Sequence, residues 1–307
     1  MTRDDLSVVS RALTGTRERP QLTFRRTYRA SPAEVRDACA NVDRLSRWFG
    51  TVNGEPSQVG DRFTVVLGDE HDVAEGRVLR CGDDEIAVAW SWQGEPESVI
   101  TARIAPADEG TTTLELQHTL EQPDHAVGYG GGWEQTLQAL ARSLGAAATD
   151  APDDEQIESD GVARWSSITR APMTLERVIA APIERVWAAF ATADGLRTWW
   201  WNHWSDVHIE ADARRGGTYR IQAPGAGIDL RGVYLVVEEP THLAYTWEWR
   251  DAEGEVPDEA VDIRLEPVAE GTRVTVLHSG PWEDDAPAEA YREGWTFTLG
   301  QLDAAQP

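Results

Sequence analysis

Lysine is missing from this sequence: all 28 basic residues are arginine. That absence excludes a lysine Schiff base, a pyridoxal-phosphate anchor and the lysine of a phosphate-binding loop. Cysteine is nearly missing too. Cys39 and Cys81 stand alone, so there is no disulfide framework, zinc knuckle or dithiol redox motif. Positive charge is scarce, with 28 basic residues against 53 acidic and a net charge of −25. A phosphate backbone or an anionic bilayer repels such a surface, so neither nucleic acid nor membrane is an expected partner. No apolar run reaches the roughly 18 residues of a membrane span. Met1 opens onto Thr-Arg-Asp-Asp rather than a signal peptide's apolar stretch. The expected location is cytoplasmic.

What is present is organised by repetition. The 307 residues, 41% of them hydrophobic, suit about two domains. Val35, Asp43, Leu45 and Trp48 recur at one offset as Val186, Asp194, Leu196 and Trp199. Trp90-Ser-Trp92 is answered by Trp247-Glu-Trp249, and Gly110-Thr … His118 by Gly271-Thr … His278. Gly132-Trp133 … Leu140 is answered by Gly294-Trp295 … Leu302. Landmarks in one order at this period indicate a tandem domain duplication. The expected domains are 1–150, with an N-terminal extension, and 172–307. Between them, 151–171 reads as an acidic linker with a short helix over 161–170. Residues 146–160 carry six acidic residues and no base, the composition of a solvated connector.

Each copy follows one pattern. A strand (22–29; 175–180) precedes a helix whose apolar residues step Val35, Cys39, Val42, Leu45 and Val186, Phe190, Ala193, Leu196. Ser31 and Glu34 form a capping box that Ala181 lacks, a difference of about 1 kcal/mol. Alternating strands follow: Ile86, Val88, Trp90 and Trp92 share a face, as do Leu243, Tyr245, Trp247 and Trp249. Each copy closes with a helix, through Trp133, Leu137, Leu140 and Leu144 or Tyr291, Trp295, Leu299 and Leu302. The order is α+β, and the last helix is the element available to cover the sheet's apolar face, leaving a pocket between them.

The segments Pro182-Ile-Glu-Arg-Val-Trp187, Asp194-Gly-Leu-Arg-Thr-Trp-Trp200, Arg215-Gly-Gly-Thr-Tyr219, Thr246-Trp-Glu-Trp249 and Glu270-Gly-Thr-Arg-Val-Thr-Val-Leu-His278 resemble the SRPBCC superfamily. The branch they resemble is homologous to the C-terminal domain of the heat-shock-protein-90 ATPase activator. The first copy is similar over about 22–144, without paired glycines before Phe63. The resemblance implies two tandem START-like helix-grip domains, each a curved antiparallel sheet around a long C-terminal helix. It implies ligand binding, cyclase-type chemistry or chaperone regulation, because the superfamily spans all three.

The sequence holds fourteen tryptophans, each worth at most about 4–6 kcal/mol when fully buried. Two readings fit them: ordinary core packing, or a cavity for a planar or apolar ligand. The candidate residues are Trp48, Trp90, Trp92, His118 and Trp133 in the first copy. In the second they are Trp199, Trp200, Tyr245, Trp247, Trp249, His278 and Trp295. Consecutive Trp199, Trp200 and Trp201 cannot all face inward, so at least one belongs at a mouth. His118 and His278 have the parity of the apolar face. Either they are structural and donate to a backbone carbonyl, or they are cavity acids or bases. No second His or Cys stands at metal-ligand spacing, so no metal or cofactor is expected. Asp43 and Asp194 read as helix N-caps, and Gly128, Gly130, Gly131 and Gly132 as a flexible approach to the last helix. Arg214-Arg215 reads as a solvated pair in a turn. The leading expectation is non-catalytic binding of a small apolar or aromatic molecule. The alternatives are an aromatase/cyclase- or dehydratase-like enzyme using His118 or His278, and a regulator of a chaperone ATPase acting on a protein partner.

Overall fold

A computed structural model of the chain describes residues 9–68, 70–108, 110–145 and 153–305. These divide at Ser166–Ser167 into two compact units, with residues 12–14 grouped with the second.

The first unit runs β1 (Ser10–Gly15), β2 (Pro20–Tyr28), α1 (Pro32–Ala40), α2 (Val42–Leu45), β3 (Thr51–Asn53), β4 (Arg62–Val66) and β5 (Val73–Cys81). It continues through β6 (Glu85–Trp92), β7 (Ser98–Pro106), β8 (Thr112–Thr119), α3 (Ala126–Ser143) and α4 (Asp154–Arg170), whose last four residues are grouped with the second unit. Its sheet order is β1-β2-β8-β7-β6-β5-β4-β3. The second unit runs β9 (Met173–Ile179), α5 (Ile183–Ala191), α6 (Ala193–Arg197), β10 (His208–Ala211), β11 (Thr218–Ala223) and β12 (Ile228–Glu238). It closes with β13 (His242–Asp251), β14 (Gly254–Val268), β15 (Gly271–Ser279) and α7 (Ala286–Ala304). Its seven strands are ordered β10-β11-β12-β13-β14-β15-β9. Both are helix-grip domains of the α+β class. The apolar face of the sheet meets one long helix through Trp133, Leu137 and Leu140 of α3, or Trp295, Leu299 and Leu302 of α7, all buried.

Register places the repeat landmarks. Trp90 on β6 lies opposite Ser98 on β7, and Trp247 on β13 lies opposite Glu259 on β14. His118 and His278 are each the penultimate residue of their strand, β8 or β15. An aromatic ring also lies over a glycine in both sheets: a Cβ on Gly76 would strike the Phe63 ring, and one on Gly232 the Tyr219 ring.

Four expectations are corrected. The early helix of each copy is two helices. Asn41 and Thr192 adopt extended backbone (ψ 122° and 148°), cap α2 and α6 through their side chains, and break the 3.6-residue run. Asp43 and Asp194 are therefore not the caps; each lies inside the first turn, and Asp194 pairs with Arg197. The capping box of Ser31 and Glu34 is present, and α5 has no side-chain cap.

The glycine cluster is not a flexible approach but part of the first two turns of α3. A Cβ on Gly130 would lie 2.3 Å from the Trp165 ring, and one on Gly131 would lie 2.4 Å from Val162. The linker region is mostly helical: α4 spans 17 residues and buries Trp165 completely. Trp165 packs on Phe24, with ring centroids 5.0 Å apart. Residues 146–152 of the expected connector lie outside the described residues. The N-terminal extension contributes β1, whose Ala12, Leu13 and Thr14 are all buried. Consecutive buried residues carry no alternation, so this strand escapes a period-two reading.

Candidate functional site

In each unit the long helix does not fill the cup. The first contains a cavity of about 470 Å³ lined by Trp48, Phe49, Trp90, Trp92, Tyr129 and Trp133, with Asp72, Asp154 and Glu158 also on its wall. The second contains a cavity of about 360 Å³ lined by Trp200, Trp201, Trp247, Trp249, Tyr291 and Trp295. Phe49 stacks on Trp133 at 5.7 Å and 15°. Trp200 meets Trp295 edge-to-face at 5.4 Å and 88°. Such contacts hold the walls rigid and present flat aromatic faces to whatever enters.

Of the candidate residues, Trp48, Trp90, Trp92, Trp133, Trp200, Trp247, Trp249 and Trp295 line the two cavities. The other four do not, which corrects their assignment. Trp199 has no exposed surface; it packs edge-to-face on Phe190 at 4.9 Å and donates from Nε1 to the Ala189 carbonyl at 3.0 Å. Tyr245 belongs to a separate ring cluster with Tyr219 at 5.0 Å and Tyr234 at 5.7 Å. His118 and His278 are completely buried behind the lining residues. Trp201, the third of the consecutive indoles, takes the partly exposed wall position.

The histidine chemistry follows from hydrogen-bond accounting. Trp133 Nε1–H donates to His118 Nδ1 at 3.1 Å, and Trp295 Nε1–H donates to His278 Nδ1 at 3.2 Å. An indole only donates, so each Nδ1 is an acceptor and the imidazole proton sits on Nε2. His118 Nε2–H is matched by Ser98 Oγ at 2.9 Å, and the Ser98 hydroxyl donates onward to the Trp90 carbonyl at 3.1 Å. His278 Nε2 has no hydrogen-bond partner among the described residues. Neither ring donates to a backbone carbonyl, contrary to the structural reading of the sequence. Burial holds both imidazoles down at about 3, so both are neutral at pH 7.

Periodicity places Tyr291 on the helix face but does not show its partner. Tyr291 Oη–H donates to Glu259 Oε2 at 2.7 Å, and Trp282 Nε1–H donates to Glu259 Oε1 at 2.7 Å. Glu259 is 2% exposed, and burial pushes its carboxyl up to about 7 against the pull of these two hydrogen bonds. In the first copy Tyr129 Oη–H donates to Glu95 Oε2 at 2.7 Å. The sequence does carry a signal for this pair. Tyr129, Trp133 and Thr136 repeat at one offset as Tyr291, Trp295 and Thr298. Among the described residues no group of three or more His, Cys, Asp or Glu side chains is arranged to hold a metal ion. No helix among them is long and apolar enough to cross a membrane.

Residues 29–145 and 180–306 each match the family model described as Activator of Hsp90 ATPase homolog 1-like protein. No curated protein matches the chain. Among solved structures, the chain is similar to CalU16 from Micromonospora echinospora at 25% identity, covering 54% of this chain and all of that one (TM-score 0.46). It is similar to CV1439 from Chromobacterium violaceum at 30% identity, over 44% of this chain and 98% of that one (TM-score 0.38). DynU16, from the dynemicin biosynthetic locus, aligns at 17% identity over 93% of this chain and 97% of its own length (TM-score 0.38).

Proposed function

The chain belongs to the family of Activator of Hsp90 ATPase homolog 1-like proteins, and we propose that each of its two domains binds a small apolar or aromatic molecule in its own cavity without transforming it. The observation that carries this reading is the pair of aromatic-walled cavities at one place in both copies, about 470 and 360 Å³, sizes suited to small ligands. A non-catalytic role is supported by the two histidines, which are neutral, engaged at Nδ1 and without surface from which to reach a ligand.

Two glycines make the test clean. Gly132 and Gly294 line the cavities, and a Cβ on either meets no atom within 4 Å. A leucine side chain starts in open space at the cavity wall and improves helix propensity by roughly 0.5–1 kcal/mol, so the variant is expected to keep the fold while its side chain takes up room in the cavity. Equilibrium dialysis with naphthalene is expected to show binding to the wild-type chain and none to the Gly132→Leu/Gly294→Leu variant at unchanged or higher melting temperature. Equal binding by the two proteins contradicts the assignment.

A further inference from the structure

The two cavities share their aromatic walls and differ in charge. Among the described residues no arginine or histidine lines either one. The second cavity has no charged side chain of either sign on its wall. Two carboxylates accept from its lining residues, Asp251 from Trp249 Nε1–H and Glu259 from Tyr291 Oη–H, but neither is itself part of the lining.

The first cavity carries three carboxylates on its wall. Asp72 comes from the turn before β5, and its Oδ1 accepts from Trp92 Nε1–H at 2.5 Å, which keeps the carboxylate beside a lining ring. Asp154 and Glu158 come from α4, one helical turn apart and so on one face. Among the described residues the second domain has no counterpart of that helix. Asp154 is paired with Arg142, and no ion pair engages Glu158 among the described residues. Three carboxylates thus meet one guanidinium, and the wall is negative. The rings add to this, because an aromatic face attracts a cation. Phe49 lies 5.4 Å from Trp90 and 5.7 Å from Trp133 on the buried side of the cavity. Trp92 and Tyr129, 6.2 Å apart, form the half-buried side next to Asp72. Neutral donors also stand on this wall, the Gln135 amide and the unpartnered Trp90 Nε1–H, so what distinguishes it is its charge rather than a want of hydrogens to give.

We propose that the first cavity recognises aromatic cations, rings carrying a protonated amine or a quaternary ammonium, and that the second does not. The ring enters among Phe49, Trp90 and Trp133. The ammonium stays on the half-buried side, over the faces of Trp92 and Tyr129 and within the field of Asp72 and Glu158. The inference rests on the reading of both cavities as binding sites.

Equilibrium dialysis of the full chain with benzyltrimethylammonium and its uncharged carbon isostere, neopentylbenzene, separates the two claims. Gly294→Leu leaves the first cavity open, and Gly132→Leu the second. Neopentylbenzene is expected to bind both variants. Benzyltrimethylammonium is expected to bind Gly294→Leu about tenfold tighter than Gly132→Leu, the worth of a few partly exposed charge contacts. Attraction by the chain's overall charge of −25 is common to both variants and cancels from this comparison. Adding Asp154→Asn/Glu158→Gln to Gly294→Leu is expected to weaken the cation about threefold or more and to leave neopentylbenzene binding unchanged. Equal affinity of the cation for the two single variants overturns the inference and leaves the cavity reading standing. So does a cation affinity that Asp154→Asn/Glu158→Gln does not change. Failure of both probes to bind overturns the cavity reading and the inference together.

Discussion

Helices α3 and α7 present nearly the same inner face and opposite outer faces. Tyr129, Trp133 and Thr136 correspond to Tyr291, Trp295 and Thr298, and both sets face a cavity. One turn around the helix the copies part. Gly130 and Gly131 of α3 are buried, with the Trp165 and Val162 side chains of α4 in the space a Cβ would take. The residues at the matching positions of α7, Arg292 and Glu293, are exposed. Two glycines let a second helix approach closely, and an Arg-Glu pair keeps the corresponding face in water. Duplication thus kept the side that makes the cavity, while the side that decides what covers the helix diverged.

That difference is broken most severely at Trp165. Trp165→Ala removes a completely buried ring from the first domain and is expected to destabilise it by about 3–5 kcal/mol. In a calorimetric scan the first domain's transition moves down and the second stays in place. A single transition moving as a whole contradicts independent domains.

The next largest effect belongs to the second domain alone. Glu259 has its carboxyl raised from 4.5 to about 7 by burial. A raised carboxyl binds more protons folded than unfolded, so its contribution is full below pH 4.5 and lost as pH rises through 7. The loss is on the order of 3 kcal/mol. Denaturant unfolding of the second domain at pH 5 and pH 8 measures it, and Glu259→Gln is expected to flatten the dependence.

Ser98→Ala is expected to turn the first copy's histidine into the second's. It leaves His118 Nε2–H without its acceptor, as His278 Nε2 already is. The cost is about 1–3 kcal/mol, read from the shift in denaturation midpoint. The smallest effect is at Ser31, whose side chain caps α1 where α5 has no side-chain cap. Ser31→Ala costs about 1 kcal/mol by the same measurement.

The sequence discloses what depends on one element and hides what depends on two. Strand parity locates Trp90, Trp92, Trp247 and Trp249, and helical spacing Trp133 and Trp295, because alternation along one strand decides which face a ring takes. Parity also selects Tyr245, but its ring packs into the cluster with Tyr219 and Tyr234 rather than on the cavity. Ser98 and Glu259 sit opposite Trp90 and Trp247 through sheet register, which no local pattern encodes. The acidic composition of 146–160 hides α4, whose buried seam of Gly161, Trp165 and Ile168 begins only after it. Asn41 and Thr192 show how one capping side chain ends a helix that apolar periodicity would continue.

The central claim is that two equivalent cavities bind independently. Isothermal titration with 2-naphthol measures this directly through stoichiometry. The account predicts two sites in the wild-type chain, one in Gly132→Leu, one in Gly294→Leu and none in the double variant. Two sites that persist in the double variant, or a single site removed by either substitution alone, would contradict it.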